Sequence, residues 1–302
     1  MSENKNKLIV IQGATACGKT ALAIALAQHF QTEIISADSR QFYSEMTIGT
    51  AKPSAEELQT VKHHFIGSET IHHLVTASEF ETRGLRLLDE LFTKHHTVVL
   101  VGGSGMFIDA LVNGLDDVPT DDNIKEELNK RFEREGLEKL AQELVSLDAS
   151  AENTVDLKNP VRVIRALEVV LITGKPFSSF KRQQPKKRPF EAVRFAIDLP
   201  RETLYDRINK RVDTMLEQGL WNEVLTLYPH KELQALQTVG YQEFFEHLDG
   251  KFSLEEAVEL VKRNSRRYAK RQMTWLRRTQ DINWLSGQNT QEQVNEILAI
   301  LS

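Results

Sequence analysis

Residues 8–30 read LIVIQGATACGKTALAIALAQHF, and this stretch decides the fold. Leu8 to Gln12 is a short apolar run suited to a buried strand, and Ala21 to Phe30 is an Ala- and Leu-rich helix. Between them, Gly13-Ala14-Thr15-Ala16-Cys17-Gly18-Lys19-Thr20 fits G-x-x-x-x-G-K-[ST] at every fixed position. Glycines let backbone N–H groups curl around a phosphate, and the start of the helix adds its positive dipole. Lys19 supplies a mobile cation, and the Thr20 hydroxyl is placed to ligate Mg²⁺. All eight residues from Gly13 to Thr20 are therefore expected to hold a diphosphate or a nucleotide.

Working outward, Glu33 to Ala37 (EIISA) and His96 to Val101 (HTVVLV) read as further strands, and Val193 to Leu199 (VRFAIDL) as a late one. Strands alternating with helices imply an α/β fold, a P-loop NTPase-like core whose parallel sheet is covered by helices. The texture changes near Val118, where a charged stretch of helical spacing from Asn123 to Leu147 begins, with Asn159-Pro160 marking the return. This predicts a small all-helical lobe over 119–158, inserted into a core of 1–118 and 159–302. A helix from Val161 to Ile172 follows, then a basic, Pro-flanked segment from Lys181 to Pro189 that reads as an exposed connector. Beyond Pro200 the chain reads as helical almost to its end.

Binding a phosphate is not hydrolysing ATP. P-loop NTPases hold Mg²⁺ partly through an Asp that ends an apolar strand, but Val98-Val99-Leu100-Val101 runs into Gly102-Gly103-Ser104 with no acid. The acid sits elsewhere, at Asp38 in Asp38-Ser39-Arg40-Gln41, directly after the Glu33 to Ala37 strand. The carboxyl end of a strand beside the phosphate loop is where an acceptor would be handled. The plainer alternative is that Asp38 caps the next segment.

The 302 residues suffice for one large α/β domain or a core carrying a smaller one. No run approaches the roughly 18 apolar residues of a membrane span, and MSENKNK does not read as a signal peptide. The single cysteine, Cys17, excludes an internal disulfide framework, so a cytoplasmic setting is expected. The net charge of −5 hides a local excess of the opposite sign. From Lys262 to Arg278 the chain holds Lys262, Arg263, Arg266, Arg267, Lys270, Arg271, Arg277 and Arg278 and no acid, with Tyr268 and Trp275 seven apart. Cations interleaved with aromatics on one helical face suit phosphates and unstacked bases, although a charge run is more often only a solvated face.

Gly13-x-Thr15-x-x-Gly18-Lys19-Thr20, Ile35-Ser36-Ala37-Asp38-Ser39-Arg40-Gln41-x-Tyr43 and Ile48-Gly49-Thr50-Ala51-Lys52-Pro53 resemble the N-terminal motifs of tRNA dimethylallyltransferases. So do Val101-Gly102-Gly103-Ser104-Gly105 and Asn159-Pro160-x-Arg162-x-x-Arg165-Ala166-Leu167-Glu168. Arg207-Ile208-x-x-Arg211-Val212-Asp213, Val239-Gly240-Tyr241 and Arg267-Tyr268-Ala269-Lys270-Arg271-Gln272-x-Thr274-Trp275 extend the likeness, in order, over nearly the whole chain. That family moves a dimethylallyl group from its diphosphate to N6 of adenosine 37 of tRNAs that read codons beginning with U. The resemblance implies dimethylallyl diphosphate and tRNA as partners and Mg²⁺ as cofactor; nothing in the sequence suggests more than a monomer.

It also implies roles for individual residues. Thr15, Gly18, Lys19 and Thr20 would bind the diphosphate, Arg211 would contact it as it leaves, and Asp38 would act as general base. Ser39, Arg40 and Gln41 would help hold the extruded adenine; Arg40 departs from the family, where many members carry an uncharged residue. Ser104, the segment Val161, Arg162, Val163, Ile164 and Arg165, and the helix residues Arg267, Lys270, Arg271 and Trp275 would face the tRNA. The lobe would grip the anticodon stem.

The remaining signals are weaker. Cys17 occupies a variable position of the loop, and the pairs His63-His64, His72-His73 and His95-His96 lack zinc spacing. Phe42 and Tyr43 either line a donor pocket or simply pack. Two rivals stand beside the prenyltransferase: a small-molecule P-loop kinase that binds ATP, and a non-catalytic RNA-binding module with a nucleotide switch.

Overall fold

Six strands in the order β3-β2-β4-β1-β5-β6 build one sheet, and every pairing in it is parallel. They are β1 (Lys7–Gly13), β2 (Ile34–Ser36), β3 (His63–His64), β4 (Thr97–Gly102), β5 (Glu191–Ile197) and β6 (Ile282–Leu285). The computed structural model describes residues 5–180 and 184–302, so Lys181 and Arg182 of the basic connector lie outside the described residues. The chain divides into two compact units, one of residues 1–113 and 187–302 and one of Gly114–Lys186.

In the first unit the helices before the division are α1 (Lys19–His29), α2 (Ala55–Thr60), α3 (Ala77–Leu91) and α4 (Gly105–Asn113). Strand β1 is central and apolar throughout, with Leu8, Ile9, Val10 and Ile11 all fully buried. Burying each such side chain is worth about 1.5–3 kcal/mol, which is why a run with no polar alternation settles between two neighbours rather than at an edge. Ile9, Ile11, Val99 and Phe195 form one core with Leu22 and Leu26 of α1. Phe42 stacks with Phe80 and Phe107, and Tyr43 is buried in a second core with Met46 and Tyr241, so both aromatics of that pair pack.

The second unit holds α5 (Asp122–Glu135), α6 (Leu137–Leu147), α7 (Ala151–Thr154) and α8 (Pro160–Thr173). It is wider than the predicted 119–158, and α8 belongs to it rather than to the sheet domain. The reason is packing: Val163, Ile164, Ala166, Leu167 and Val170 of α8 close a core with Leu128, Leu140 and Leu144. Asn159 caps α8 by accepting from Arg162 N–H, with Pro160 at its first position.

The chain then returns to the first unit with α9 (Arg201–Glu217), α10 (Leu220–Leu227), α11 (Gln242–Leu248), α12 (Leu254–Leu276) and α13 (Thr290–Leu301). Ser253 and Glu256 form a reciprocal capping box that starts the long α12. Two short strands escape the sequence pattern, β3 and the late β6, which interrupts the supposedly helical C-terminal end. The connector also differs from expectation. Arg188 is largely covered, its side chain 9% exposed, and donates to Glu81 at 2.7 Å and to the Ala110 carbonyl at 2.8 Å. Among the described residues no helix is long and apolar enough to cross a membrane.

Candidate active site

The turn from β1 into α1 is a phosphate loop by its backbone. Ala16 and Gly18 adopt left-handed conformations (φ 63° and 101°), which fold the chain back before α1 begins. No side chain caps α1, so the N–H groups of its first turn remain for an anion. A Cβ on Gly13 would strike Cys17 Sγ, which packs the buried thiol beneath the loop. Lys19 Nζ reaches back to donate to the Ala14 carbonyl at 3.1 Å.

Two residues far along the chain complete the loop. Gln272 of α12 accepts from Thr15 N–H at 2.9 Å and donates to the Gly103 carbonyl at 3.0 Å, tying the loop to the turn after β4. Arg211 of α9 donates to Thr15 Oγ1 and to the Ala51 carbonyl, each at 3.4 Å. Burial pulls the Arg211 guanidinium below its ordinary pKa, and the Asp38 carboxylate opposes that. Sequence reasoning gave Gln272 no part in the phosphate site, because its partners are main-chain atoms.

Asp38 follows β2 on a turn held on both sides. Arg40 N–H donates to Asp38 Oδ1 at 3.0 Å, Ser39 N–H to Ser104 Oγ at 3.0 Å, and Ser104 Oγ–H to Ser39 Oγ at 3.2 Å. The capping role weighed for Asp38 is thus present, but it occupies one oxygen, and the carboxylate lines the cleft. Gln41 donates to the carbonyls of Thr50 and Ala51, fixing the segment opposite. A cleft results, lined by Thr15, Lys19, Asp38 and Arg211. Ile208, Val212, Met215, Val239 and Val261 give it an apolar wall. Tyr268, 36% exposed, borders it too; desolvation at its phenol, reinforced by the Asp38 charge, raises its pKa to about 12. A smaller cleft of about 480 Å³ shares Thr15, Lys19, Asp38 and Arg211 and adds Thr20, Ser36 and His63.

Helix α12 contributes its other side to the surface, where Arg263, Arg267, Lys270 and Arg271 are exposed, as are Arg277 and Arg278 just beyond its end. Lys262 instead pairs with Asp213 at 2.8 Å, and Arg266 donates to Asn209 at 2.6 Å. Trp275 is 42% exposed; its indole N–H donates to Asp109 at 3.2 Å and its ring crowds Gly105.

The family model for IPP transferase matches residues 41–279. The chain belongs to the IPP transferase family. It is thereby an enzyme of the prenyl-transferring class. It is 46% identical over 295 residues to tRNA dimethylallyltransferase 1 of Bacteroides fragilis, covering 97% of each chain. Its fold is similar to that of the full-length tRNA isopentenylpyrophosphate transferase of Bacillus halodurans, with TM-score 0.73, 36% identity and coverage of 98% and 96%. It is also similar to a eukaryotic dimethylallyltransferase caught in crystallographic snapshots acting on tRNA, with TM-score 0.78, 27% identity and coverage of 93% of this chain and 73% of that one.

In this IPP transferase the remaining sequence-predicted residues divide. Val161, 74% exposed, and Arg162 lie on the surface of α8, while Val163 and Ile164 are buried in the core of the helical unit and turn no side chain outward. The helical period requires this, since four successive positions cannot share one face. Arg165 is held internally by Glu168 at 2.6 Å and the Val118 carbonyl at 3.0 Å. Arg40 donates to the carbonyls of Gln234 (3.2 Å), Ala235 (2.9 Å) and Gln237 (3.5 Å), so the IPP transferase uses its unusual arginine to fasten that segment beside the cleft.

Proposed function

We propose that this chain transfers the dimethylallyl group of dimethylallyl diphosphate to N6 of adenosine 37 in tRNAs that read codons beginning with U. One observation carries the reading. Asp38, the only carboxylate lining the main cleft among the described residues, shares it with Lys19 and Arg211 and with an apolar wall. That is an anion-binding end, an apolar space and a base, in one place.

The reaction balances with these groups. The C1–O bond of the allylic donor breaks, its electron pair leaving with the diphosphate, while a bond forms between C1 and N6. Lys19, Arg211, the Thr15 hydroxyl and the loop amides stabilise the charge that develops on the departing oxygens. Asp38 takes the N6 proton as the new bond forms, which offsets the weak nucleophilicity of an exocyclic amine. The base must leave its stack to reach the cleft. Ser39 and Gln41, both fixed by hydrogen bonds, and the side of α12 that bears Tyr268 would border it there.

The donor set of the smaller cleft suits Mg²⁺. Thr20 and Ser36 offer hydroxyl oxygens, the ligands a hard cation prefers. Thr20 would hold the ion, and its chemistry there is to neutralise diphosphate charge. The exposed cations of α12, with Trp275, would bind tRNA backbone and bases; on α8, Val161 and Arg162 are the members of their segment available for contact. The protein would act as a monomer in the cytoplasm, a setting its single, buried thiol suits.

The test is direct. The protein is incubated with Mg²⁺ and labelled dimethylallyl diphosphate, either with unmodified tRNA carrying three successive adenosines from position 36 or with ATP alone. Label on adenosine 37 supports the reading. Consumption of ATP without any transfer would overturn it in favour of the kinase.

A further inference from the structure

His63 opens β3, in register with Ile34 of β2. Paired residues in a parallel ladder point to the same side of the sheet, and Ile34 packs in the core that contains α1. The His63 ring is thus on the side of the first turn of α1, and it lines the smaller cleft with Thr20, Ser36, Lys19 and Arg211.

The tautomer follows from one contact. His63 Nδ1 is 2.8 Å from the Val61 carbonyl, which can only accept, so Nδ1 carries the hydrogen and neutral Nε2 offers a lone pair. That Nε2 atom is buried and has no hydrogen-bond partner among the described residues. Buried polar atoms in folded proteins are nearly always satisfied, so an orphan on a ring that lines a cleft points to a partner that the cleft supplies. A lone pair facing bare phosphate oxygens would be repelled. The cleft's cations are turned elsewhere, Lys19 to the Ala14 carbonyl and Arg211 to Thr15 and Ala51. Ser36 points its hydroxyl at Gln41. A donor of the right kind is water on a divalent cation, because Mg²⁺ on a phosphate keeps several of its waters.

We propose that His63 is a positioning residue of the diphosphate site, its Nε2 accepting a hydrogen bond from water on the cation that accompanies the diphosphate. The inference rests on the donor-site reading above. It gives a binding role to one member of a histidine pair whose spacing carries no metal-site signal, and whose neighbour, His64, faces Glu33 at 2.6 Å. His63 acts through the cation's hydration shell, which orients the ion against Thr20 without ligating it.

Calorimetric titration of the full chain with pyrophosphate, with and without Mg²⁺, tests it in three proteins. In the wild type Mg²⁺ strengthens binding. His63→Asn keeps a donor for the Val61 carbonyl but removes the Nε2 acceptor. It is expected to lose about tenfold in affinity with Mg²⁺ and to match the wild type without it. His63→Gln, whose amide oxygen reaches the Nε2 position, should restore most of the loss, and tRNA affinity should be the same in all three. A His63→Asn protein that binds Mg²⁺-pyrophosphate like the wild type overturns the inference. So does one equally weakened with and without Mg²⁺, because that marks a purely structural role. Wild-type protein that binds no pyrophosphate under either condition overturns the donor-site reading itself, and this inference with it.

Discussion

The side-chain amide of Gln272 accepts from Thr15 N–H at 2.9 Å, joining the phosphate loop to the helix that carries the basic face. The same amide donates to Gly103, so one residue satisfies two main-chain groups at the heart of the site. Replacing Gln272 by Leu leaves both unpaired; a fully buried group so orphaned costs about 1–3 kcal/mol, and these half-buried ones less. The expected result is a lowered midpoint in urea unfolding and a raised KM for dimethylallyl diphosphate. A variant with wild-type stability and KM would remove Gln272 from the loop's support.

Asp38→Asn keeps the size and the acceptor for Arg40 N–H but cannot take a proton. Transfer should fall by at least the 10²–10⁴-fold typical of a lost general base, while tRNA affinity changes little. Single-turnover transfer and filter binding, measured side by side, check both halves. A near wild-type rate would show that Asp38 is only a turn residue.

The triple change of Arg267, Lys270 and Arg271 to Ala removes three exposed cations of α12. Binding to tRNA should weaken, and the slope of log affinity against log salt should become shallower by roughly 0.7–0.9 for each phosphate that is no longer neutralised. An unchanged slope would mean that the α12 cations face only solvent.

Glu33 gathers Lys62 at 3.1 Å, His64 at 2.6 Å and His95 at 3.9 Å at the β3 edge of the sheet. Burial disfavours its charge, yet hydrogen bonds from His64 and Lys62 outweigh that and set its pKa below the ordinary 4.5. A carboxylate depressed in the folded state contributes stability above its unfolded pKa and loses it as pH falls through the folded one. The stability difference between wild type and Glu33→Gln should therefore be full at pH 7 and shrink below about pH 4.5. Urea midpoints at pH 7, 5 and 4 test this; a pH-independent difference would contradict the pairing.

Much of the fold was legible because it rests on local signals. The apolar runs at Leu8 and Val98 and the glycine-rich loop at Gly13 need no partner to be read, and they place β1, β4 and the turn into α1. β3 and β6 were invisible because they are two and four residues long and sit at the sheet's edges. A two-residue pairing leaves no periodicity. The helical unit's borders were misjudged because α8 is apolar enough to cover either a sheet or other helices, and only packing decides. In the site, Asp38 could be named from its place at the end of the Glu33 to Ala37 run, and Arg211 only through a family likeness. Gln272 and Arg40 could not be given their roles, since both bond to main-chain carbonyls or N–H groups that sequence does not distinguish. Val163 and Ile164 show the opposite error, residues borrowed from a motif whose helix turns them inward.

The eight cations of residues 262–278 belong to a chain of net charge −5, so the rest of the molecule carries −13. A polyanion approaching from most directions meets repulsion, and one approaching α12 is drawn in. For the proposed tRNA substrate that charge distribution would act as a compass, aligning the nucleic acid before any contact forms. Collisions in the wrong orientation would be disfavoured at a distance, and the rest would arrive on the helix that already holds the phosphate loop through Gln272.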